Sequence, residues 1–311
     1  MSNPSDLISI ILPLYRVKEF LPQAIASIQA QTYRTFECLC LDDGSNNGID
    51  ELAKALTQGD ERFKVYTFEN AGVATTRNRG LDLAQGQYIT FIDQDDCYHP
   101  QFLEVMLRTL KEANADVVQC RWQDVEEAFD YDTATHLMPA VTPQVYSQPL
   151  EILIKSCHEM AVWIKLFKRS AIGALRFNPS LRGSDDALFT WATYAQASSV
   201  VDLCLPLYYY RRQAQAVTQQ YPVSYALACV DYVVEVYKLV AHRHDFARIK
   251  VRLMQEFFNV LKAVTKSNLA LEDRRCFAKR LKDGLKECNC SPCYWSISKQ
   301  IKYYYFQYFL K

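Results

Sequence analysis

The 311-residue sequence has no net charge, no low-complexity tract, and no basic segment ahead of its first apolar stretch. Lys+Arg and Asp+Glu both number 35, so the charges cancel. The balance is uneven along the chain: from Gln219 onward 16 Lys+Arg accompany 8 Asp+Glu, which leaves 19 against 27 before it. An acidic main part argues against a general nucleic-acid binder, whose phosphate contacts require a concentrated basic face. The stretch Ile8 to Tyr15 is too short to span a bilayer, and Met1 to Asp6 carries no basic n-region. The expectation is a cytoplasmic protein. Eleven cysteines are present, but the odd count and the missing signal peptide favour reduced thiols over a disulfide framework. Cys288-Asn289-Cys290-Ser291-Pro292-Cys293 lacks a fourth ligand at a spacing suited to tetrahedral zinc.

What is present is an ordinary soluble composition, half apolar and 23% charged, with enough length for a catalytic domain and an appendage. Ser9-Ile10-Ile11-Leu12 reads as a strand buried on both faces, ended by Pro13. Glu19 to Gln31 repeats apolar residues at helical spacing. Phe36 to Leu41, Phe63 to Phe68 and Tyr88 to Ile92 supply further strands, with helices expected from about Asp50 and around Arg77 to Ala84. This alternation implies an α/β fold with an open, mostly parallel, doubly wound sheet, in which ligands bind beyond the carboxyl ends of the strands. Val117 to Cys120 suits another strand, and Asp124 to Pro143 reads as a long surface excursion. From about Tyr221 the period becomes helical. The expected organisation is a catalytic domain over 1–218 and a helical, basic and aromatic C-terminal region over 219–311.

Two acidic segments lie at strand ends, Asp42-Asp43-Gly44-Ser45 and Asp93-Gln94-Asp95-Asp96. In an extended segment, alternate residues face one side, so Asp93 and Asp95 would present two carboxylates to one point. Mn²⁺ and Mg²⁺ favour such oxygen ligands, shared with substrate phosphates. A solvated acidic turn is the competing use of the same residues.

Ser9-Ile10-Ile11-Leu12-Pro13-Leu14-Tyr15, Gln31-Thr32-Tyr33, Leu41-Asp42-Asp43-Gly44-Ser45, Asn70-Ala71-Gly72, Arg77-Asn78-Arg79-Gly80 and Gly86 through Asp96 follow the order and spacing of family 2 glycosyltransferases. The sequence resembles that family closely over 7–110 and more loosely to about 218. The resemblance implies a GT-A fold and transfer of a hexose or N-acetylhexosamine from a UDP-sugar, with inversion, to a hydroxyl of a glycan or lipid-linked oligosaccharide. It further implies Mn²⁺ or Mg²⁺ as cofactor and a place in bacterial surface-polysaccharide, lipopolysaccharide or lipooligosaccharide synthesis. By the same resemblance Pro13, Tyr15 and Asp43 match the nucleotide-base contacts, and Arg77 a basic residue near the nucleotide. Asp93 matches a ribose and metal contact, Asp95 the metal ligand, and Asp186 within Arg182-Gly183-Ser184-Asp185-Asp186 the catalytic base. Two departures are visible: Arg16 stands where the family commonly has Asn, and Asp185 replaces the usual Glu.

A helix N-terminus is the structural use of Ser184 with its early acids. Trp163 and Lys165 suit contacts to a sugar face and to the diphosphate or acceptor. A nucleotidyltransferase, which also uses paired aspartates on a doubly wound sheet, lacks its Gly-rich phosphate segment here, because Pro13-Leu14-Tyr15 follows the first strand. A non-catalytic nucleotide- or glycan-binding relative is the remaining alternative. The Lys- and aromatic-rich stretch Lys299 to Lys311 suits peripheral contact with the inner face of the plasma membrane, with homo-oligomer packing as its rival.

Overall fold

The structure is a computed structural model that describes residues 6–131, 141–155, 160–212, 223–244, 246–267, 269–291, 299–300 and 302–303. The core of the Asp124–Pro143 excursion, Cys293 and nearly all of the aromatic tail lie outside these residues. By contacts the chain forms two compact units, Met1–Pro179 with Thr193–Gln213, and Ser180–Ala192 with Ala214–Lys311.

The first unit alternates strands and helices as β1 (Ile8–Leu14), α1 (Leu21–Gln29), β2 (Phe36–Asp42), α2 (Ile49–Leu56), β3 (Phe63–Thr67), α3 (Val73–Leu83) and β4 (Tyr88–Phe91). It continues through β5 (Cys97–Tyr98), α4 (Phe102–Glu112), β6 (Val117–Val125), β7 (Gln144–Tyr146), α5 (Leu150–Lys155), β8 (Lys165–Lys168) and α6 (Arg169–Ile172). The helix α7 (Asp185–Gln196) then crosses the boundary between the units, and β9 (Val200–Arg211) returns to the sheet. Among the described residues the sheet has nine strands in the order β3-β2-β1-β4-β8-β6-β9-β5, with β7 also on β9. The β3, β2, β1 and β4 block is parallel, and β8 enters antiparallel between β4 and β6. The fold is therefore α/β with a mostly parallel sheet, as its residues led one to expect.

β1 and β2 show why this half forms as it does. Every residue of ISIILPL except Pro13 is buried, and all seven of β2 are, so both strands require cover on both faces. Pro13 does not end β1, which continues in register with β2 to Leu14↔Asp42. Ile11 offers its carbonyl to Ile92 N–H on the β4 side, and Pro13, two residues on, faces the same side. Pairing with β4 stops at Ile11↔Phe91, so no ladder bond is lost at the missing N–H. α3 lies close over this block: a Cβ at Gly80 would come 2.6 Å from Ile11 Cγ2.

The second unit contains α8 (Val223–Val240), α9 (Phe246–Lys266) and α10 (Leu271–Glu287), whose apolar faces bury Val230, Val234, Leu253, Phe257, Phe277 and Leu281. The segment before and within early α7 belongs with these helices through specific contacts. Trp191 Nε1 donates to Tyr232 Oη at 2.8 Å, and Ser184 Oγ lies 3.4 Å from Cys229 Sγ. Among the described residues no helix is long and apolar enough to cross a membrane.

Candidate active site

The register of three adjacent parallel strands brings Tyr15, Asp43 and the Asp93–Asp96 segment just past the carboxyl ends of β1, β2 and β4.

Asp42, the last residue of β2, and Asp43 after it are both buried and occupied. Asp42 Oδ1 accepts from Ser45 N at 3.1 Å and from the Ser45 hydroxyl, which makes it a turn former. Asp43 accepts from Ala71 N at 2.9 Å through Oδ1 and from Gly72 N at 2.8 Å through Oδ2, with Arg79 Nη1 at 3.4 Å. Its carbonyl takes a further bond from Asn70 Nδ2 at 2.8 Å. Asp43 thus ties the loop that opens α3 to the end of β2. Gly44 is the residue that permits the approach, at φ +68° with a Cβ position 2.7 Å from Asn70 N.

Tyr15 is 39% exposed, an unusual condition for a large ring at the end of a buried strand. The Arg16 guanidinium lies 4.9 Å from its centroid. Arg16 itself has φ +59°, a left-handed conformation that Asn adopts more readily than Arg. The loop is fastened by Arg16 N donating to Ser45 Oγ at 3.0 Å and Asn47 Nδ2 donating to Arg16 O at 2.6 Å. On the opposite flank Gln94 makes two bonds to one residue: Tyr15 N donates to Oε1 at 2.8 Å, and Nε2 donates to Tyr15 O at 2.9 Å.

Asp93 to Asp96 is not extended. Asp96 N donates to Asp93 O at 3.2 Å, closing a tight turn with Gln94 and Asp95 at its centre. The simple alternation expected for Asp93 and Asp95 therefore does not apply, because β4 has already ended at Phe91. Asp93 is half-buried and accepts from the buried Arg77 Nη2 at 3.1 Å. The Arg77 guanidinium is stationed 5.6 Å from the Phe177 ring centroid. Asp96 is buried; its Oδ2 accepts from Tyr208 Oη at 2.7 Å and its Oδ1 from Arg211 N at 2.8 Å. Burial, with the Asp95 and Asp93 charges adding to it, holds the Asp96 carboxyl well above the usual carboxylate range.

Arg211 is the residue that motif reading undervalued. Its buried guanidinium donates from Nε to Asp95 O at 2.9 Å, from Nη1 to Glu127 O at 2.6 Å and Phe129 O at 3.1 Å, and from Nη2 to Gln23 Oε1 at 3.0 Å. It fixes the acidic turn through the Asp95 carbonyl. Lys165 is fully buried, with Nζ donating to Ala161 O. Trp163 stacks on Tyr208 at 4.4 Å and on Tyr210 at 5.3 Å, with Trp122 edge-on at 5.6 Å.

Asp186 occupies the first turn of α7, half-buried beside the buried Asp185. Leu188 N donates to Ser184 O at 3.2 Å, so Ser184 opens the helix. Asp186 belongs to the second unit, whereas the acids above belong to the first.

Among the described residues no group of three or more His, Cys, Asp or Glu side chains forms a metal cage. Mn²⁺ and Mg²⁺ seldom use one, taking one or two carboxylates together with substrate phosphates. Asp93 and Asp95, two half-buried acids of one tight turn, are the carboxylates present for such an ion.

The model described as glycosyl transferase family 2 matches residues 9–174. EpsH of Bacillus subtilis (strain 168) is 32% identical over 230 residues, which cover 71% of this chain and 64% of EpsH. Glycosyltransferase GlyG of Streptococcus pneumoniae serotype 4 is 27% identical over 83% of this chain and 87% of its own. Glycosyltransferase GlyA of the same organism matches over 76% of this chain but only 35% of its own length. The chain thus spans under two thirds of EpsH and about a third of GlyA. Among solved structures, S. aureus TarS (1-349) in complex with UDP has TM-score 0.68 at 19% identity, covering 90% of this chain and 80% of that one. The mannosyltransferase PcManGT of Pyrobaculum calidifontis, in complex with GDP-Man and Mn²⁺, has TM-score 0.55 at 13% identity, covering 97% and 86%. These two likenesses concern the fold.

Proposed function

The chain belongs to glycosyl transferase family 2, and we propose that it is an inverting glycosyltransferase moving a hexose or N-acetylhexosamine from a UDP-sugar to a hydroxyl of a surface glycan or lipid-linked oligosaccharide. The observation that carries this reading is the convergence of Tyr15, Asp43, Arg77 and the Asp93–Asp96 turn at three adjacent strand ends. The TarS complexes with UDP and with UDP-GlcNAc support a uridine donor by analogy of fold.

In this reading the exposed Tyr15 ring offers a stacking face to the base beside Pro13, and Asp43 shapes the base pocket through the Asn70–Gly72 loop. Arg77 holds Asp93 toward the ribose and the diphosphate. Asp93 and Asp95 would hold a Mn²⁺ or Mg²⁺, which when bound would neutralise charge on the departing diphosphate. Asp186 accepts the proton of the acceptor hydroxyl. The freed oxygen attacks the anomeric carbon from the face opposite the nucleotide, and the bond to the β-phosphate oxygen breaks with its electron pair leaving on UDP. An α-linked donor yields a β-linked product.

Calorimetry with UDP, with and without Mn²⁺, tests the donor and metal reading: binding should tighten with the metal, and indifference would sink the role of Asp95. Asp186→Asn should lower transfer by about 10³-fold while UDP affinity holds within about twofold. A variant that keeps most of its rate removes Asp186 as the base. Slow Mn²⁺-dependent hydrolysis across UDP-Glc, UDP-Gal, UDP-GlcNAc and UDP-GalNAc identifies the sugar. The basic, aromatic tail is proposed to serve peripheral membrane contact, and liposome sedimentation of a chain lacking Ser298 to Lys311 decides that.

A further inference from the structure

The strands β1 and β4 part company before they reach the site. Their last paired residues are Ile11 and Phe91, and Ile92 N donating to Ile11 O is the final main-chain bond between them. Beyond it, the Tyr15 loop and the acidic turn have no ladder to hold them in register. The Gln94 side chain bridges them. Its amide accepts from Tyr15 N at 2.8 Å and donates to Tyr15 O at 2.9 Å, across 79 residues of sequence. Two antiparallel bonds to one residue act as a rung of β-ladder supplied by a side chain, so they fix the rotation of the Tyr15 main chain as well as its position.

Among the described residues the rest of the loop is fastened from the β2 side, through Ser45 and Asn47. Gln94 is the contact that comes from the acids. It sits at the centre of the turn closed by Asp96 N and Asp93 O, directly before Asp95. A four-residue turn has little internal freedom, so displacement of Asp95 is transmitted to Tyr15. Arg211, holding Asp95 O from the other side, makes the turn a fixed base for this coupling.

We infer that Gln94 is a positioning residue that couples the nucleoside-stacking loop to the metal-binding turn, holding the two ends of a nucleoside diphosphate site in one register. The inference rests on the donor reading above and specifies how that site is made rigid. Gln94 touches neither ring nor phosphate; it acts through Tyr15 and Asp95.

The test is calorimetry on the full chain in saturating Mn²⁺ with two probes, UDP, which spans both ends, and inorganic pyrophosphate, which engages only the acidic end. Gln94→Met retains bulk and removes both bonds. It should weaken UDP by about tenfold, as the loss of two neutral hydrogen bonds implies, and pyrophosphate by less than about twofold. In a Tyr15→Ala background there is no ring to position, so the same change should cost UDP less than about threefold. Unchanged UDP affinity in Gln94→Met, or equal weakening of both probes, overturns the coupling role while leaving the donor reading in place. Failure of the unsubstituted protein to bind UDP overturns the donor reading itself, and the coupling with it.

Discussion

The two acidic segments, after β2 and after β4, are alike in composition and differ in what surrounds their carboxylates. Asp42 and Asp43 sit among backbone N–H groups, from Ser45, Ala71 and Gly72, and organise the loops around them. The Asp93–Asp96 turn brings three carboxylates together, with Arg77 on Asp93 and the Tyr208 hydroxyl and Arg211 N–H on Asp96. A cluster of like charges gains from a cation, whereas a carboxylate satisfied by local donors gains nothing from one. The first segment ties its loops together and the second concentrates charge.

The largest effect should follow from Asp95→Asn. It is expected to abolish the Mn²⁺ enhancement of UDP binding and to slow transfer by about 10²-fold or more, on the order of losing a catalytic electrostatic contact. Metal titration of UDP affinity checks this, and retained enhancement would erase the distinction between the segments. Asp43→Asn should act on stability instead. It sets an amide N–H₂ against one of two backbone N–H donors and should cost about 1–3 kcal/mol in urea unfolding, with or without Mn²⁺.

Asp96 sharpens the comparison through pH. Its carboxyl is raised above the ordinary range chiefly by burial, so the folded chain binds this proton at higher pH than the unfolded chain does. As pH falls through the folded-state value, wild type should gain stability relative to Asp96→Asn, and the gain should level off below the ordinary carboxylate value. Urea unfolding of both proteins across a pH series measures it; a constant difference would mean the carboxyl is not held in this way. The smallest effect is expected from Arg16→Asn, about 0.5 kcal/mol of added stability from relief of the left-handed backbone at φ +59°, seen as a raised unfolding midpoint.

Much of the first unit was legible because its signals are local. The unbroken apolar runs of β1 and β2 require a doubly covered parallel sheet, and the helical period over α1 supplies the cover. The reading faltered where partners are remote. Pro13 looked like a strand end, yet it faces the side on which pairing has already ceased. The burial of Lys165 follows from β8 lying between β4 and β6, which no local pattern shows. The role of Arg211 emerges only from carbonyls 82 to 116 residues away.

Apolar period and motif spacing are properties of neighbouring residues, and they suffice to mark this chain as an α/β member of glycosyl transferase family 2 with aspartates at the ends of β2 and β4. How each carboxylate is occupied depends on the packed chain: Asp43 by Ala71 and Gly72, Asp93 by Arg77, Asp96 by Tyr208 and Arg211. The packed chain also decides that the residue between the two metal-binding candidates reaches back to Tyr15. A hydrogen bond is settled by distances of about 3 Å, and those are set by the packing of strands far apart in the chain.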